Sequence, residues 1–351
     1  MKLYNLGKVP WEESQLIYHA LAGMGRESLS LVSPASPYVC IGFHQDAEQE
    51  VDLEYCRARG IPVFRREVGG GAVYLDGDQL FFQLILRRDN PVVTQNKAAF
   101  YKKMLQPVID VYRHIGIASE YKPINDVIAG TRKISGTGAG EIGDCLVFVG
   151  NLIVNFDYET MSRVLRVPDE KFRDKLHKTL QDNLSTIKRE LGEARAARWD
   201  EGTLNQLMAK EFEKILGPLS DSGKDEPLER KMDELRSRMM NDDWLLHPAR
   251  KWAGGRDIKI RQGIHLRHRE HKAPGGLIRA DVEVAEGRIG RVSLTGDFFC
   301  YPREALDWLE TGLQGISLNK AETFLETFYR EKEVETPGIE VRDWLKVLVD
   351  E

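Results

Sequence analysis

The apolar positions of the first 160 residues follow two periods, one typical of strands and one typical of helices. Residues 11–24 carry apolar side chains at helical spacing, whereas residues 28–32 and 38–43 are short continuous apolar runs. The pattern predicts helices over 11–24, 51–59 and 97–115, and strands over 28–32, 38–43, 61–64 and 80–86. Residues 146–149 and 152–156 are almost entirely apolar, which predicts central strands covered on both faces.

The second half of the chain changes from a helical, charge-rich pattern to strands and then back to helices. Helical spacing runs from residue 158 to about residue 244, and the segment Trp252-Ala253-Gly254-Gly255 is typical of a linker. Beyond it the pattern predicts strands over 257–268, 277–284 and 288–294, and helices over 302–313, 319–330 and 339–349. With 351 residues in total, we expect two domains, residues 1–246 and residues 255–351, the second a small α+β unit.

Composition places the chain among ordinary globular proteins and argues against several other classes. Charged residues make up 30% and hydrophobic residues 42% of the sequence, and the net charge of −5 argues against a nucleic-acid partner. No apolar run approaches the roughly 18–20 residues that span a bilayer, and the first residues lack a secretory signal. We therefore expect a cytoplasmic protein without a membrane partner. The four cysteines include no CxxC pair, which argues against a disulfide framework and a structural zinc site.

Three consecutive glycines stand between two predicted strands, in the segment Arg65-Arg66-Glu67-Val68-Gly69-Gly70-Gly71-Ala72-Val73-Tyr74-Leu75-Asp76. Glycine tolerates positive φ and lets another molecule approach the main chain, and bare N–H groups in such a turn bind anions. The two arginines at its start add donors suited to a carboxylate or a phosphate. The segment predicts either a site for a large anionic ligand or an ordinary hairpin turn with exposed arginines.

A second small-residue segment, Asn125 to Gly140, predicts a strand, a turn at Gly130, a return strand and then a loop. Lys133 lies on the predicted return strand, and the small residues directly after it leave the backbone uncovered. A lysine beside uncovered backbone suits contact with an anionic group. The alternative interpretation is a surface lysine followed by a flexible linker.

Together the two segments resemble the lipoate–protein ligase family. The resemblance runs from RRxxGGGAVYxD at Arg65–Asp76, through NDxxxxxxKxSG at Asn125–Gly136, to GNLIVNFD at Gly150–Asp157. The strand that ends in His44-Gln45 is similar to the family's first ligand-facing strand. The last hundred residues resemble the accessory domain of some members, through GRI at 287–289 and GDFF at 296–299. The resemblance implies an α+β fold, with a mixed β-sheet flanked by helices as in biotin and lipoate ligases, and a small α+β accessory domain.

The resemblance also implies an ATP-dependent activity. Family members convert lipoate, or a related acid such as octanoate, to an acyl-adenylate and release pyrophosphate. The ε-amine of a lysine on an acceptor protein then attacks the carbonyl. Such chemistry needs anion neutralisation and alignment more than a protein nucleophile. The expected ligands are ATP, Mg²⁺ and lipoate or octanoate, the expected acceptor is an apo lipoyl domain or a lipoate-binding protein, and residues 38–43 and 81–86 would wall the acyl tail.

By resemblance, Lys133 is the expected catalytic residue and binds the carboxylate and α-phosphate oxygens. Arg66 and the glycine backbone would cradle the adenylate, and Arg65 would support the turn. Asp126 has three open roles, which are to orient Lys133, to orient the incoming amine or to hold Mg²⁺. The full set of expected binding residues is His44, Arg66, Gly69, Gly70, Gly71, Ala72, Val73, Asp76, Gln79, Asn125, Asp126, Lys133, Ser135 and Gly136.

The sequence departs from the family pattern within these segments. Val68 stands where Ser or Thr is common, Leu75 where His is frequent, and Asp78-Gln79 where Gly-Asn is common. Residues 138–141 replace a small-residue, polar and basic run. These departures bear on the nucleotide loop and on the acceptor, which leaves both a dehydrogenase domain and a lipoate-binding protein of sulfur metabolism open.

Three alternatives remain open on the sequence. An octanoyltransferase or lipoyl-amidotransferase of the same fold needs a pocket cysteine for its acyl-thioester. Residues 116–132 and 146–180 contain none, and Cys145 opens an apolar strand. A biotin ligase lacks support because the GRGRxGR repeat is absent. A non-catalytic lipoyl-binding scaffold would not need both Arg66 and Lys133.

Overall fold

The N-terminal unit, residues 1–247, is built around a mixed eight-stranded sheet. The computed structural model describes residues 1–94, 96–247, 258–261 and 264–349. Strands β1 to β11 span Lys2–Val9, Ser28–Pro34, Tyr38–Ile41, Val63–Arg65, Val73–Leu75, Gln79–Arg87, Glu120–Lys122, Asp126–Ala129, Arg132–Ile142, Cys145–Ile153 and Ser220–Asp221. Helices α1 to α11 span Trp11–Gly23, Ala47–Glu50, Leu53–Arg59, Lys97–His114, Tyr158–Val164, Glu170–Asn183, Ile187–Leu191, Glu193–Ala196, Glu201–Leu216, Glu226–Met239 and Asp242–Leu245.

The strand order of the large sheet is β11-β1-β2-β6-β10-β9-β8-β7, with β1 parallel to β2 and to β11 and the other neighbours antiparallel. A second, three-stranded sheet has the order β4-β3-β5. Strand β3 pairs in parallel with β4 and in antiparallel with β5, so the glycine turn between β4 and β5 spans this small sheet.

Strand β6 shows why the core has two layers. Its even-numbered side chains, such as Phe82 and Leu84, pack in the cluster formed with helices α4 and α9. Its odd-numbered side chains, such as Phe81 and Ile85, pack in the cluster formed with helix α1 and the small sheet. Successive side chains of a strand point to opposite faces, so an unbroken apolar run is buried on both. Strand β10, which contains most of the two runs predicted as central strands, divides in the same way, with Phe148 in the first cluster and Val147 in the second, so burial on both faces is confirmed. The two predicted strands are one, and residues 154–156 lie beyond its end.

A C-terminal unit (residues 258–349) has its own sheet and core. Strands β12 to β15 span Ile258–Arg261, Ile264–Ala273, Gly276–Ala285 and Arg288–Gly296, and helices α12 to α14 span Ala305–Leu313, Ala321–Lys332 and Val341–Leu348. A separate buried cluster around Trp344 joins the sheet to the helices. The expected α+β class is confirmed. The expected boundary near residues 252–255 lies outside the described residues, so the division into residues 1–246 and 255–351 stays a prediction.

The prediction of a loop after the return strand was wrong, because strand β9 continues to Ile142 and its residues 137–142 pair with β10. A Cβ at Gly140 would lie 3.0 Å from the Val68 side chain, and one at Gly138 would lie 3.3 Å from both Val68 and Phe299. These glycines therefore allow close packing within a strand and do not form a turn.

Three further elements differ from the sequence pattern. Strand β1 was not predicted. It contains Gly7, with φ +59°, and its register with β2 shifts between Asn5 and Gly7, so the strand is irregular. The helix predicted over 51–59 begins at Leu53, because the Asp52 side chain caps it. The strand predicted over 257–268 is two strands, β12 and β13, with residue 257 outside the described range. None of the helices in the described ranges combines the length and apolarity needed to cross a membrane.

Candidate active site

A cavity of about 460 Å³ lies between the two sheets of the N-terminal unit, and the C-terminal unit covers it. The glycine turn contributes Arg66 and residues 69–73. The second segment contributes Asn125, which directly precedes β8, together with Asp126 of β8 and Lys133 and residues 136–138 of β9. The remaining walls come from α1, β3, β5, β6, β10, the β13–β14 hairpin, and Asp297 and Phe299 after β15. The two segments singled out in the sequence therefore meet at one cavity of the size that ligand pockets usually have.

Lys133 lies at the edge of this cavity and forms an ion pair with Asp126. The Lys133 Nζ and Asp126 Oδ1 atoms are 2.7 Å apart, and the lysine side chain is 38% exposed. Asp126 and Gly136 are paired in the β8–β9 register, which brings the carboxylate to the lysine. The ammonium is thus held in place while remaining accessible from the cavity.

Gly136 gives Lys133 the space for this position, and Gly136→Ala should displace it. A Cβ at Gly136 would lie 3.0 Å from Lys133 Cε and 3.2 Å from Nζ. If Lys133 acts on substrate, we expect kcat/KM to fall about tenfold with an unchanged melting temperature, because misplacing a catalytic group is costly. Gly223→Ala is the matched control, since nothing lies within 4 Å of a Cβ there. Equal activity in the two variants would contradict the role of this glycine.

The Arg66 guanidinium braces the glycine turn from inside. Its Nη2 donates to the main-chain oxygens of Gly69 and Gly71, at 2.7 and 2.9 Å, and its Nη1 donates to the Cys40 oxygen at 3.2 Å. Gly70, with φ +89°, lies between the two carbonyls that Arg66 holds. Arg66 thereby places a positive charge against the turn and fixes its backbone.

Arg65 points away from the cavity and ties the turn to two neighbouring segments. The side chain is 1% exposed, and its Nη1 donates to the main-chain oxygens of Gly42, Phe43 and Gln45 at 3.1, 2.8 and 2.6 Å. Its Nε and Nη2 donate to the Leu245 oxygen at the end of α11. Burial lowers the pKa of Arg65 to about 10. These contacts agree with the expectation that Arg65 supports the turn.

A chain of amide side chains supports the floor of the cavity. Asn151 Oδ1 accepts from the Gly136 N–H at 3.1 Å, and its Nδ2 donates to Gln79 Oε1 at 2.8 Å. Ser135 Oγ donates to the Asn151 carbonyl at 2.6 Å. On the other side, the Asn125 amide donates to the Thr137 carbonyl. The network fixes the position of the Gly136 backbone beside Lys133.

The C-terminal unit closes the cavity above the glycine turn. The Gly70 N–H donates to the Phe298 oxygen at 3.1 Å, and the Tyr301 hydroxyl donates to the Ala139 oxygen at 2.8 Å. The Phe299 ring lies over Gly70, where a Cβ would be 3.0 Å from its Cζ. Lys272 also lines the cavity, with its Nζ 3.4 Å from Asp297. The pocket therefore includes residues from both units.

Glu67, inside the turn segment, joins three elements beneath this cover. It is 4% exposed, and its carboxylate lies 3.0 Å from Arg238 of α10 and 3.0 Å from Arg303 of the C-terminal unit. Its N–H donates to His19 Nε2 at 3.2 Å. Burial alone would raise the pKa of Glu67, but His19, Arg303 and Arg238 hold it below its usual value. The carboxylate therefore anchors the C-terminal unit to the turn.

Acid should weaken this arrangement through His19. Burial lowers the pKa of His19 from 6.5 to about 4, so the folded protein keeps it neutral while the unfolded chain takes up a proton. The stability that neutral His19 contributes is fully present above pH 6.5, the pKa of histidine in the unfolded chain. It is lost as the pH falls toward 4, the pKa of His19 in the folded protein. We expect a loss on the order of 2 kcal/mol between about pH 7 and pH 5, measured by urea unfolding. The depressed pKa of Glu67 acts in the same direction at lower pH.

The variant His19→Gln separates this effect from other acid-sensitive groups. A glutamine keeps an acceptor for the Glu67 N–H but has no proton to gain in this range. Its unfolding free energy should change little between the two pH values. A loss in the variant as large as that of the wild type would contradict the assignment to His19.

Four residues of the expected set do not line the cavity. His44 is buried under the C-terminal unit, where its ring stacks on Phe298 at 5.5 Å and its carbonyl accepts from the Gly296 N–H. Asp76 accepts from the Asp78 N–H within its own turn. Gln79 and Ser135 are buried in the network around Asn151, one layer behind the surface. Gln79 and Ser135 therefore support the cavity floor from behind, whereas His44 packs against the C-terminal unit and Asp76 bonds within its own turn.

The cavity also has lining residues outside the expected set. Among them are Gln15 and Tyr18 of α1, Cys40 of β3, and Lys272 of the C-terminal unit. The resemblance implied that residues 38–43 and 81–86 would wall the acyl tail, and the structure places Cys40, Phe81 and Gln83 of these strands at the cavity. Helix α1 and the β13–β14 hairpin carried no comparable signal, because their contributions depend on long-range packing.

No preformed metal cage exists among the described residues. No cluster of three or more His, Cys, Asp or Glu side chains in that part of the chain could hold a metal ion. Asp126, an expected Mg²⁺ ligand, directs Oδ1 at Lys133 Nζ. Magnesium is commonly held by one or two carboxylates together with substrate phosphates. Of the three roles left open for Asp126, this geometry favours orientation of Lys133.

The family model described as the lipoyl protein ligase A/B catalytic domain matches residues 10–213. Lipoate-protein ligase A subunit 1 of Thermoplasma acidophilum is 33% identical over 42% of this chain, which spans 59% of that relative's length. Lipoate–protein ligase 1 of Staphylococcus aureus is 27% identical over 85% of this chain and 80% of its own. Octanoyltransferase LipM of Moorella thermoacetica is 23% identical over 67% of this chain and 91% of its own.

Solved structures share the fold. A bipartite lipoate protein ligase with its E2 lipoyl domain from T. acidophilum has a TM-score of 0.62 at 24% identity, covering 72% of this chain and 98% of that chain. Lipoate-protein ligase A bound with ATP has a TM-score of 0.58 at 22% identity, covering 70% and 98%. P. falciparum LipL1 in complex with lipoate has a TM-score of 0.65 at 15% identity and covers 95% of both chains. Since the family model matches more than half of its residues, the chain belongs to the lipoyl protein ligase A/B family and is an enzyme related to lipoate–protein ligases.

Proposed function

We propose that this protein is an ATP-dependent lipoate–protein ligase that forms an acyl-adenylate and transfers the acyl group to a lysine of an acceptor protein. The observation that carries the proposal is the position of Lys133, held by Asp126 at 2.7 Å, at one cavity with Arg66 and the glycine turn. The relatives named as lipoate–protein ligases and the solved neighbour bound with ATP support the same activity.

The arrangement suits the activation of a carboxylate. Two carboxylate or phosphate groups brought together repel each other, and fixed positive charge and N–H dipoles reduce that repulsion. Lys133 supplies an accessible ammonium held by Asp126, and Arg66 supplies a guanidinium fixed behind the turn. Lys272, on the hairpin that covers the cavity, supplies a third cation. Neutralisation and alignment are the tasks these residues perform, and no protein nucleophile is required.

Asp126 serves the two half-reactions differently. While the acid and nucleotide bind, its carboxylate holds the Lys133 ammonium in the cavity. When an acceptor lysine approaches, the same carboxylate, which lines the cavity, can accept a hydrogen bond from the incoming amine and orient it. Magnesium would enter with the nucleotide phosphates, since the described residues form no cage for it. It would supply charge neutralisation on those phosphates.

The acceptor and the location follow from the same proposal. A lipoyl domain is the partner named with the T. acidophilum ligase, and we propose an apo lipoyl domain or a lipoate-binding protein as the acceptor here. We place the activity in the cytoplasm, where ATP and newly made acceptor proteins occur together. Nucleic acid has no part in the proposal.

The related octanoyltransferases make acyl transfer from a thioester the second candidate function. Such a reaction needs a cysteine at the cavity. Cys145 is buried at the start of β10 and is not among the lining residues, whereas Cys40 does line the cavity. Burial raises the pKa of the Cys40 thiol, while Arg66, 3.6 Å away, opposes the shift. A thiol with a raised pKa is a poor nucleophile, so the ligase is favoured.

One experiment separates the two functions. An apo lipoyl domain is incubated with the protein and either lipoate with ATP and Mg²⁺ or an octanoyl thioester, and the acceptor is weighed by mass spectrometry. The ligase predicts a lipoyl adduct only with ATP, and a Cys40→Ser variant that retains ATP-dependent transfer. Acyl transfer from the thioester that is lost in Cys40→Ser would establish the transferase instead.

A further inference from the structure

Helix α6 lies on the surface of the N-terminal unit, and none of its 14 residues is fully buried. Leu176 and Leu180 on its inner face are partly buried, and Leu180 packs against the core cluster of the small sheet. A surface helix usually buries one apolar stripe against its own protein and turns its other side to solvent. The outer face of α6 is not covered by the described part of the chain, and its side chains indicate which kind of molecule it suits.

Three exposed lysines form a row along this outer face. Lys171, Lys175 and Lys178 are four and three residues apart, which places them on one side of a helix. No ion pair involves any of them within the described ranges. Asp182, at the C-terminal end of the row, and Asp174, beside it, are the nearest carboxylates along the helix. Since like charges at this spacing repel each other, carboxylates from a partner would stabilise the row.

Phe172 adds an apolar contact beside the lysine row. It is 53% exposed, the highest value among the exposed large hydrophobic residues in the described part of the chain. The Lys175 ammonium lies 5.9 Å from the centre of the Phe172 ring. An aromatic side chain within a charged rim is typical of a protein–protein interface. A protein partner fits better than a nucleic acid, because the whole chain has a net charge of −5.

The end of α6 is attached to the strand that carries Lys133. The Ser185 N–H, just beyond the helix, donates to the Lys133 carbonyl at 2.7 Å, and Leu184 forms a bridge with Lys133. The Arg189 side chain also donates to the Leu184 carbonyl, at 3.0 Å. Phe172 precedes Leu184 by about 18 Å of helix, at roughly 1.5 Å per residue. Because a small domain is about 30 Å across, one that is seated on α6 extends to Lys133.

We propose that the outer face of α6 is the docking surface for the acceptor protein and recognises carboxylates near its target lysine. The inference rests on the proposed function, because it concerns the protein that receives the acyl group. The lysine row pairs with the carboxylates, and Phe172 packs against an apolar side chain of the acceptor. Charge complementarity of this kind speeds association and fixes the orientation of the partners. No residue of α6 lines the cavity, so the surface serves acyl transfer and not adenylate formation.

Binding of the acceptor, measured by biolayer interferometry without ATP, tests the inference. The probes are an apo lipoyl domain and an apo lipoate-binding protein, each with a net negative charge. The wild-type protein should bind at least one of them. The triple variant Lys171→Glu, Lys175→Glu and Lys178→Glu should weaken that binding about tenfold or more, because like charges then face each other. Phe172→Ala should weaken it about fivefold, as loss of an aromatic anchor does.

The matched control reverses three exposed lysines on other helices, Lys102 and Lys103 of α4 and Lys210 of α9. These two helices pack in a different core cluster from α6, and the change in net charge is the same. Binding by the control should stay within about twofold of wild type. Equal losses in the two triple variants would mean that only the overall charge matters, which would overturn the inference.

Pyrophosphate release with ATP and lipoate, in the absence of acceptor, separates this inference from the proposed function. Both triple variants should release pyrophosphate within about twofold of wild type. Loss of release in the α6 variant alone would assign its lysines to the nucleotide and overturn the docking surface. Failure of the wild type to bind either probe, or binding that the α6 variants leave unchanged, would also overturn it. Binding through α6 without pyrophosphate release in the wild type would refute the ligase and leave the docking surface intact.

Melting curves check that every variant is folded. If the charge reversal on α6 is not, glutamine at the same three positions takes its place, since it removes the charges and keeps a long polar side chain. The glutamine variant should still weaken acceptor binding by about threefold or more. Unchanged binding in that variant would overturn the inference in the same way.

Discussion

Replacing Lys133 with alanine should lower kcat/KM for acyl-adenylate formation by about 10²- to 10³-fold, measured as pyrophosphate release with ATP and lipoate. This is the range found when one preorganised donor to a developing charge is removed. The Lys133 ammonium is held 2.7 Å from Asp126 at the edge of the cavity, and Gly136 leaves it room there. No other side chain in the described ranges occupies that position. The protein should remain folded, because a side chain that is 38% exposed adds little to the core.

Lys122→Ala is the matched control for this prediction. Lys122 is an exposed lysine on β7, at the edge of the same sheet, and it does not line the cavity. Its loss should leave pyrophosphate release within about twofold of wild type, as surface substitutions usually do. Melting curves of both variants should match that of the wild type. Near-normal activity of Lys133→Ala would remove Lys133 from the reaction.

Replacing Arg65 with methionine should have the largest effect on stability, on the order of 3 kcal/mol or more in the free energy of unfolding. Arg65 is 1% exposed and donates to four main-chain carbonyls from two segments, residues 42–45 and Leu245. Methionine fills a similar volume but offers no donor, so these buried oxygens lose their partners. The loop after β3 and the end of α11 should then separate from the glycine turn.

Urea unfolding followed by tryptophan fluorescence checks this prediction, since the Trp244 indole donates to the Arg65 carbonyl at 2.9 Å. Arg57→Met is the control, because Arg57 is exposed on α3 and its loss should change the unfolding free energy by less than about 0.5 kcal/mol. Equal stability of the two variants would mean that the carbonyl cluster does not hold the turn. Loss of activity in Arg65→Met is expected to follow its loss of structure.

The sequence predicted the site where chemistry is encoded in consecutive residues. Arg66, the three glycines, Asp126, Lys133 and Gly136 all line one cavity, as the resemblance to the lipoate–protein ligase family implied. Each of these positions carries a residue type with a specific physical use, whether a positive charge, a bare backbone or a small side chain. Such residue types can be recognised in the sequence without knowledge of the fold.

The same reasoning failed where a residue acts through distant packing. The glycines at 138 and 140 indicated a loop, yet they belong to β9 and admit Val68 and Phe299. The stacking of His44 on Phe298, more than 250 positions later in the chain, left no local pattern either, and a contact between His44 and the ligand stays a prediction. A glycine kept for close packing and a glycine kept for a turn look alike in a sequence.

The covering role of the C-terminal unit could not be predicted either. Its strands and helices were recognised from their own periodicity, but their place over the cavity depends on contacts such as the one between Glu67 and Arg303. A charged pair separated by more than 200 residues leaves no local pattern. The third cation at the cavity, Lys272, was overlooked for the same reason.

The central claim is that Lys133 and the glycine turn hold a mixed anhydride of a lipoyl-type acid and AMP. The protein is mixed with ATP, Mg²⁺ and lipoate in the absence of acceptor, separated from free ligands by rapid gel filtration, and the bound small molecules are weighed by mass spectrometry. We predict lipoyl-AMP bound to the wild-type protein at close to one equivalent, and almost none bound to Lys133→Ala. Unreacted lipoate and ATP recovered from the folded wild-type protein, with no adenylate formed, would contradict the account.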